Sequence, residues 1–152
     1  MVDDIAATGQ TLAKSLAGFA KSTLDAFQKS KAKLICCALY ATPLASELIL
    51  KQLRLIEAVH IDFRVGELIG ASASAFGDES DLWTSSDERD CAKALVMELG
   101  GRIYKSQPLG FGGLGLLMVF PTTVPNNSLP ILHSSSKGNA KRWIPLFPRP
   151  TN

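Results

Sequence analysis

His60, Asp62 and Arg64 alternate with Ile61, Phe63 and Val65. On a strand the three polar side chains share one face, and a histidine beside a carboxylate is a unit of acid–base chemistry. No nucleophile is placed beside them by spacing, and polar residues alternating along a solvated strand face are the ordinary pattern. Gly110, Gly112 and Gly115 spell G-x-G-x-x-G. That motif cradles phosphate where it opens a helix. Here an apolar strand pattern over 114–120 follows, so a glycine-lined hairpin is expected instead. Asp78, Glu79 and Asp81 offer oxygen ligands for a divalent cation, but without the spacing of a calcium loop, and a solvated turn is expected. Cys36, Cys37, Cys91, His60 and His133 lack zinc-ligand spacing. The residue types therefore predict no catalytic site, no metal and no cofactor, and a protein that is not an enzyme.

Basic residues give a different prospect. Lys14, Lys21, Lys29, Lys31 and Lys33 lie in the first third of the chain. Lys137, Lys141, Arg142 and Arg149 surround Trp143 near its end. Cations can neutralise phosphates and an aromatic ring can stack on a base, so these nine residues are the candidate nucleic-acid contacts. The formal charge of +2 is unevenly spread. Residues 1–56 carry +3, residues 57–100 carry −7, and residues 101–152 carry +6 without a single acid. Such blocks can steer like molecules head to tail or set a basic surface on a polyanion. Pro145 and Pro148 also form a P-x-x-P segment beside Arg149, of the kind that docks in aromatic grooves.

These residues need elements to hold them. A chain of 152 residues, 46% apolar, has the size and composition of one folded domain. No apolar run approaches the ~20 residues of a membrane span. Asp3 and Asp4 come before any apolar stretch, unlike a signal peptide. Three cysteines are an odd count for a disulfide scaffold. These features predict a cytoplasmic protein. The spacing of Ile5, Leu12, Leu16, Phe19, Thr23 and Phe27 predicts an amphipathic helix over 3–29. Strands are expected over 33–41, 59–65, 68–76, 102–107 and 114–120, and helices over 44–55 and 85–99. In the last helix Cys91, Leu95 and Leu99 are expected to face inward. Ser85 with Glu88 fits a capping box, and Gly100-Gly101 a stop signal.

The order from Leu34 to Phe147 resembles the jelly-roll coat proteins of small icosahedral plant RNA viruses, the tymovirus type in particular. The resemblance is carried by the alternating strand 59–65, strand 68–76 with Asp78 and Asp81, the helix 85–99, and the stretch from Gly100-Gly101 to Phe120-Pro121. It implies a shell subunit without enzyme activity, found in the virion, with lysines near RNA.

The expectation is a β-rich fold with helices, a jelly-roll-like β-sandwich with an N-terminal amphipathic helix. The alternative is an α+β ferredoxin-like order, βαββαβ. The expected divisions are a helical arm over 1–30, a globular domain over 31–121, and a Pro-rich basic tail over 122–152 docked on the domain or a neighbouring subunit. The expected function is a self-assembling structural subunit, a homo-oligomer in contact with RNA. Leu12, Leu16, Phe19, Phe27, Trp143 and Phe147 are its candidate assembly contacts. The alternative function is a ferredoxin-like regulatory or RNA-binding module.

Overall fold

The structure is a computed structural model, and it describes residues 1–30, 32–56, 60–135 and 143–149. The chain divides into two compact units, Met1–Gly70 and Ala71–Asn152.

The first unit is a β-α-β-α-β arrangement. Strand β1 spans Val2–Ala6, helix α1 Gln10–Ser30, strand β2 Leu34–Ala41, helix α2 Pro43–Arg54 and strand β3 Ile61–Leu68. The three strands pair in parallel, in the order β1-β2-β3. The register sets Val2 against Cys37 and Ile5 against Tyr40, then Leu34 against Ile61 and Cys36 against Phe63. Parallel neighbours need a crossover, and each helix supplies one.

Alternation along β2 decides which face is covered. Leu34, Cys36 and Ala38 are buried, whereas Ile35 and Leu39 are exposed. Leu12, Ala13 and Leu16 of α1 and Ala45 and Ile49 of α2 join the buried set as one core. Leu16 and Ile49 are fully buried. Each such side chain contributes about 1.5–3 kcal/mol relative to an exposed one. The phase of α2 differs from the leucine pattern in its sequence. Ala45 and Ile49 face the core, and Leu44 and Leu55 face outward. Cys36 and Cys37 take opposite faces of β2, one buried and the other half-buried.

The second unit is held by turns more than by ladders. Helix α3 spans Ser86–Ile103 and a short helix, α4, spans Pro130–His133. Ser85 caps α3 by accepting from Glu88 N–H at 3.2 Å, while the Glu88 carboxylate reaches Thr84 N–H at 2.9 Å. The capping residue is the one expected, and the return bond lands one residue earlier. Phe76 stacks on Trp83 at 5.8 Å, and the Trp83 indole donates to Ala75 C=O.

Several expected elements are replaced. No β-sandwich is present among the described residues. Helix and strand are mixed, as in the βαββαβ alternative, but the sheet is parallel throughout. The expected helix over 3–29 is two elements, because residues 2–6 add to the free edge of β2. The expected strand over 68–76 ends at Leu68 and gives way to a 3-10 turn, Ala71–Ala73. Gly100-Gly101 does not stop α3, which runs to Ile103 and takes in the first two residues of the expected strand 102–107, with bend and turn following. Position 100 requires glycine, because an added Cβ would overlap Pro108 C=O. Cys91 and Leu95 are exposed, so α3 buries little of the face read as inward. In the expected strand 114–120 only Leu116 bridges, to Ser74 and Ser128. Among the described residues no helix is long and apolar enough to cross a membrane.

Candidate functional site

A parallel strand that turns directly into a helix leaves backbone N–H groups without acceptors at the carboxyl edge of the sheet. In this chain β1 does so through Ala7-Thr8-Gly9. The first helical bond of α1 runs from Ala13 N–H to Gly9 C=O at 2.9 Å. The N–H groups of Gln10, Thr11 and Leu12 therefore precede any intrahelical acceptor. They carry the positive end of a 21-residue helix. Thr8, half-buried, and Thr11, exposed, add two hydroxyls to this turn.

Gly9 makes the turn possible. Its φ is +74°, a left-handed conformation that costs other residues about 1–2 kcal/mol. A Cβ there would also lie 2.9 Å from the Cα and the carbonyl oxygen of Ala45. The close approach of α1 and α2 is thus written into this one glycine.

Thr42 ties the neighbouring loop to it. Its hydroxyl accepts from Ala45 N–H at 3.0 Å, capping α2, and donates to Ala7 C=O at 2.5 Å. Its N–H donates to Ala6 C=O at 3.1 Å. At the third strand Ile69 N–H donates to Ala41 C=O at 2.8 Å. The carboxyl ends of all three strands are laced together, at the edge where open α/β sheets receive ligands.

Two carboxylates lie on β1 just before the turn. Asp3 is half-buried, and burial followed by the neighbouring Asp4 charge raises its carboxyl above the ordinary 3.8. Asp4 is exposed. Asp3 Oδ1 accepts from Asp4 N–H, and Asp4 Oδ1 accepts from Ile5 N–H. The turn can take an anion on its N–H groups and hydroxyls, and carboxylates accept from hydroxyl groups. Among the described residues no group of three or more His, Cys, Asp or Glu is arranged to hold a metal. Cys36 is fully buried, and burial pushes its thiol up, which removes it as a nucleophile.

The residues singled out from sequence fall elsewhere. Asp62 on β3 pairs with Arg64 at 3.0 Å and Lys33 at 3.5 Å, and the Arg64 hydrogen bond, foremost, lowers its carboxyl. His60 precedes β3 and is exposed. Asp78 pairs with Arg89. Gly110, Gly112 and Gly115 have positive φ in a loop with a 3-10 turn, Phe111–Gly113, and no helix N-terminus follows. Lys14, Lys21 and Lys29 are exposed along α1, and Lys33 lies just before β2. Lys31, Lys137, Lys141 and Arg142 lie outside the described residues. Leu12 and Leu16 face the core, while Phe19 meets Phe27 edge-on at 6.0 Å. The Trp143 indole donates to Ile131 C=O and Phe147 N–H to Leu132 C=O. Arg149 donates to Val124 C=O.

Sequence reading missed Asp3, Asp4 and the turn. The signal was Thr8-Gly9-Gln10-Thr11, a glycine flanked by helix-starting residues just ahead of the Leu12 and Leu16 repeat.

A family model described as PRTase-CE matches residues 1–149. The chain belongs to this family. The family's name points to a phosphoribosyltransferase-type enzyme, and the match takes in the turn and both carboxylates. Comparison with curated proteins and with solved structures returns no match. Membership of PRTase-CE overturns four expectations: the coat-protein resemblance, the self-assembling or regulatory role, the assignment as a non-enzyme, and the virion. The non-enzyme expectation rested on motifs that passed over the turn after β1, whereas the coat-protein and virion expectations rested on the resemblance. The resemblance rested on strands at 68–76, 102–107 and 114–120, and the backbone there is helix, turn and loop.

Proposed function

We propose that this PRTase-CE chain binds a phosphoribosyl group at the carboxyl edge of its sheet and transfers it. The observation that carries the reading is the strand–turn–helix unit: Asp3 and Asp4 on β1, then Ala7-Thr8-Gly9, then the open N-terminus of α1. The 5-phosphate sits on the N–H groups of residues 10–12 and the Thr8 and Thr11 hydroxyls. The ribose hydroxyls donate to Asp3 and Asp4, as ribose hydroxyls do to an acid in nucleotide-binding sheets. In the transfer the bond from ribose C1 to its leaving group breaks and one to the acceptor forms. Carboxylates close to the ring favour the positive charge that develops on the sugar.

The test is binding of ribose 5-phosphate to the full chain by calorimetry. Thr8→Val and Asp4→Asn each remove a direct contact from a solvent-facing site and are expected to weaken binding about tenfold. Unchanged affinity in both variants would sink the assignment. Transfer is then followed with an activated ribose 5-phosphate donor and a panel of acceptors, reading loss of the donor.

A further inference from the structure

Arg149 poses a separate question in the second unit. Its Nε and Nη2 donate to Val124 C=O at 3.1 and 2.6 Å. A guanidinium has five N–H donors, so three remain. Burial depresses its pKa, and among the described residues no carboxylate pairs with it. Residues 101–152 contain no acid at all. A desolvated cation without an anion is costly to keep.

The side chain lines a cavity of about 160 Å³ together with Tyr104, Gln107, Asn126, His133 and Ser134. A void near 150 Å³ is enough for a molecule the size of benzene. His133 is only 7% exposed. Its Nδ1 lies 2.9 Å from Ser134 Oγ, and its Nε2 is buried without a hydrogen-bond partner. Burial and then the Arg149 charge lower the ring's pKa, with the nearby Ser128 backbone acting weakly in the opposite direction. Tyr104 is the other titratable group on the wall. Helix α3, packed on α4, carries Glu98 and Arg102 near its end, and these pair with each other.

We propose that this cavity binds a small oxyanion, phosphate or carboxylate, against Arg149, with Tyr104, Gln107, Asn126 and Ser134 completing its hydrogen bonds. The site belongs to the second unit and does not rest on the phosphoribosyl reading. An anion there neutralises Arg149 and removes the part of the lowering of the His133 pKa that the Arg149 charge adds to burial. His133 is therefore the built-in reporter.

The experiment is an NMR titration of the histidines in the full chain, with His60→Gln assigning the two signals. Inorganic phosphate and acetate are added separately, with chloride at matched ionic strength as the control. Either oxyanion is expected to raise the His133 pKa by about one unit, a tenfold gain in proton affinity. A response to phosphate alone, acetate alone or both supports the site and names its ligand class. Arg149→Gln is expected to abolish the response. Asn126→Asp, at an exposed residue of the wall, does the same by placing a negative charge in the cavity. Thr8→Val, in the other unit, leaves it intact. No shift with either anion overturns the proposal, as does an equal shift with chloride or a shift that survives Arg149→Gln and Asn126→Asp.

Discussion

Asp3 pays for its position on β1 with stability. Its folded carboxyl holds the proton more tightly than the unfolded one, because burial and Asp4 raise it above 3.8. The folded state is thus favoured at low pH and loses ground as pH rises from the ordinary carboxylate value through the folded one. Asp3→Asn is expected to be more stable than the native chain at neutral pH, with the difference vanishing in acid, read from urea midpoints at several pH values. The same substitution is expected to weaken ribose 5-phosphate binding about tenfold, a trade of stability against function. His133 runs with the opposite sign. Its folded pKa lies below the ordinary 6.5, since burial and Arg149 disfavour the cation. Stability is full above that value and falls as pH drops through 6.5 toward the folded value. His133→Gln is expected to flatten that part of the pH–stability curve.

At the scale of elements the turn between β1 and α1 is set by two contacts. Gly9 lets α1 approach Ala45, so Gly9→Ala meets both a left-handed φ and a backbone 2.9 Å away. A loss of about 2 kcal/mol or more is expected from denaturant unfolding. Thr42 caps α2 and holds Ala7. Thr42→Val keeps the shape and removes the hydroxyl, which leaves Ala7 C=O and Ala45 N–H without their partner. The expected cost is about 1–2 kcal/mol, with weaker ribose 5-phosphate binding because the turn loses its tie. Element boundaries were legible where local pattern and tertiary need agreed. Strand 33–41 is found at Leu34–Ala41, and helix 44–55 at Pro43–Arg54. The first strand was not legible, because Val2-Asp3-Asp4-Ile5-Ala6 has two residues that disfavour strands and gains its ladder only from β2.

For the molecule as a whole, ligand binding and folding are linked. Ribose 5-phosphate at about a hundred times its Kd adds about 2.7 kcal/mol to the state that binds it. Hydrogen exchange is expected to show the added protection first at residues 6–12 and 41–45, where the strand ends are laced together. Protection that leaves these segments unchanged would place the ligand elsewhere.

Composition and periodicity determined that helices and strands would mix, that residues 33–41 would form a strand, and that the end of the chain would be basic without acids. Those are local properties, fixed by side-chain chemistry and by spacings of two or about four residues. The strand order belonged to the tertiary structure, because it depends on which edge of β2 receives residues 2–6 once α1 has crossed over. The candidate site was hidden for the same reason. Asp3 and Asp4 read as the polar start of a helix until that edge made them part of a strand. Only then did Thr8 and Gly9 become the turn at its carboxyl end, facing whatever the sheet binds.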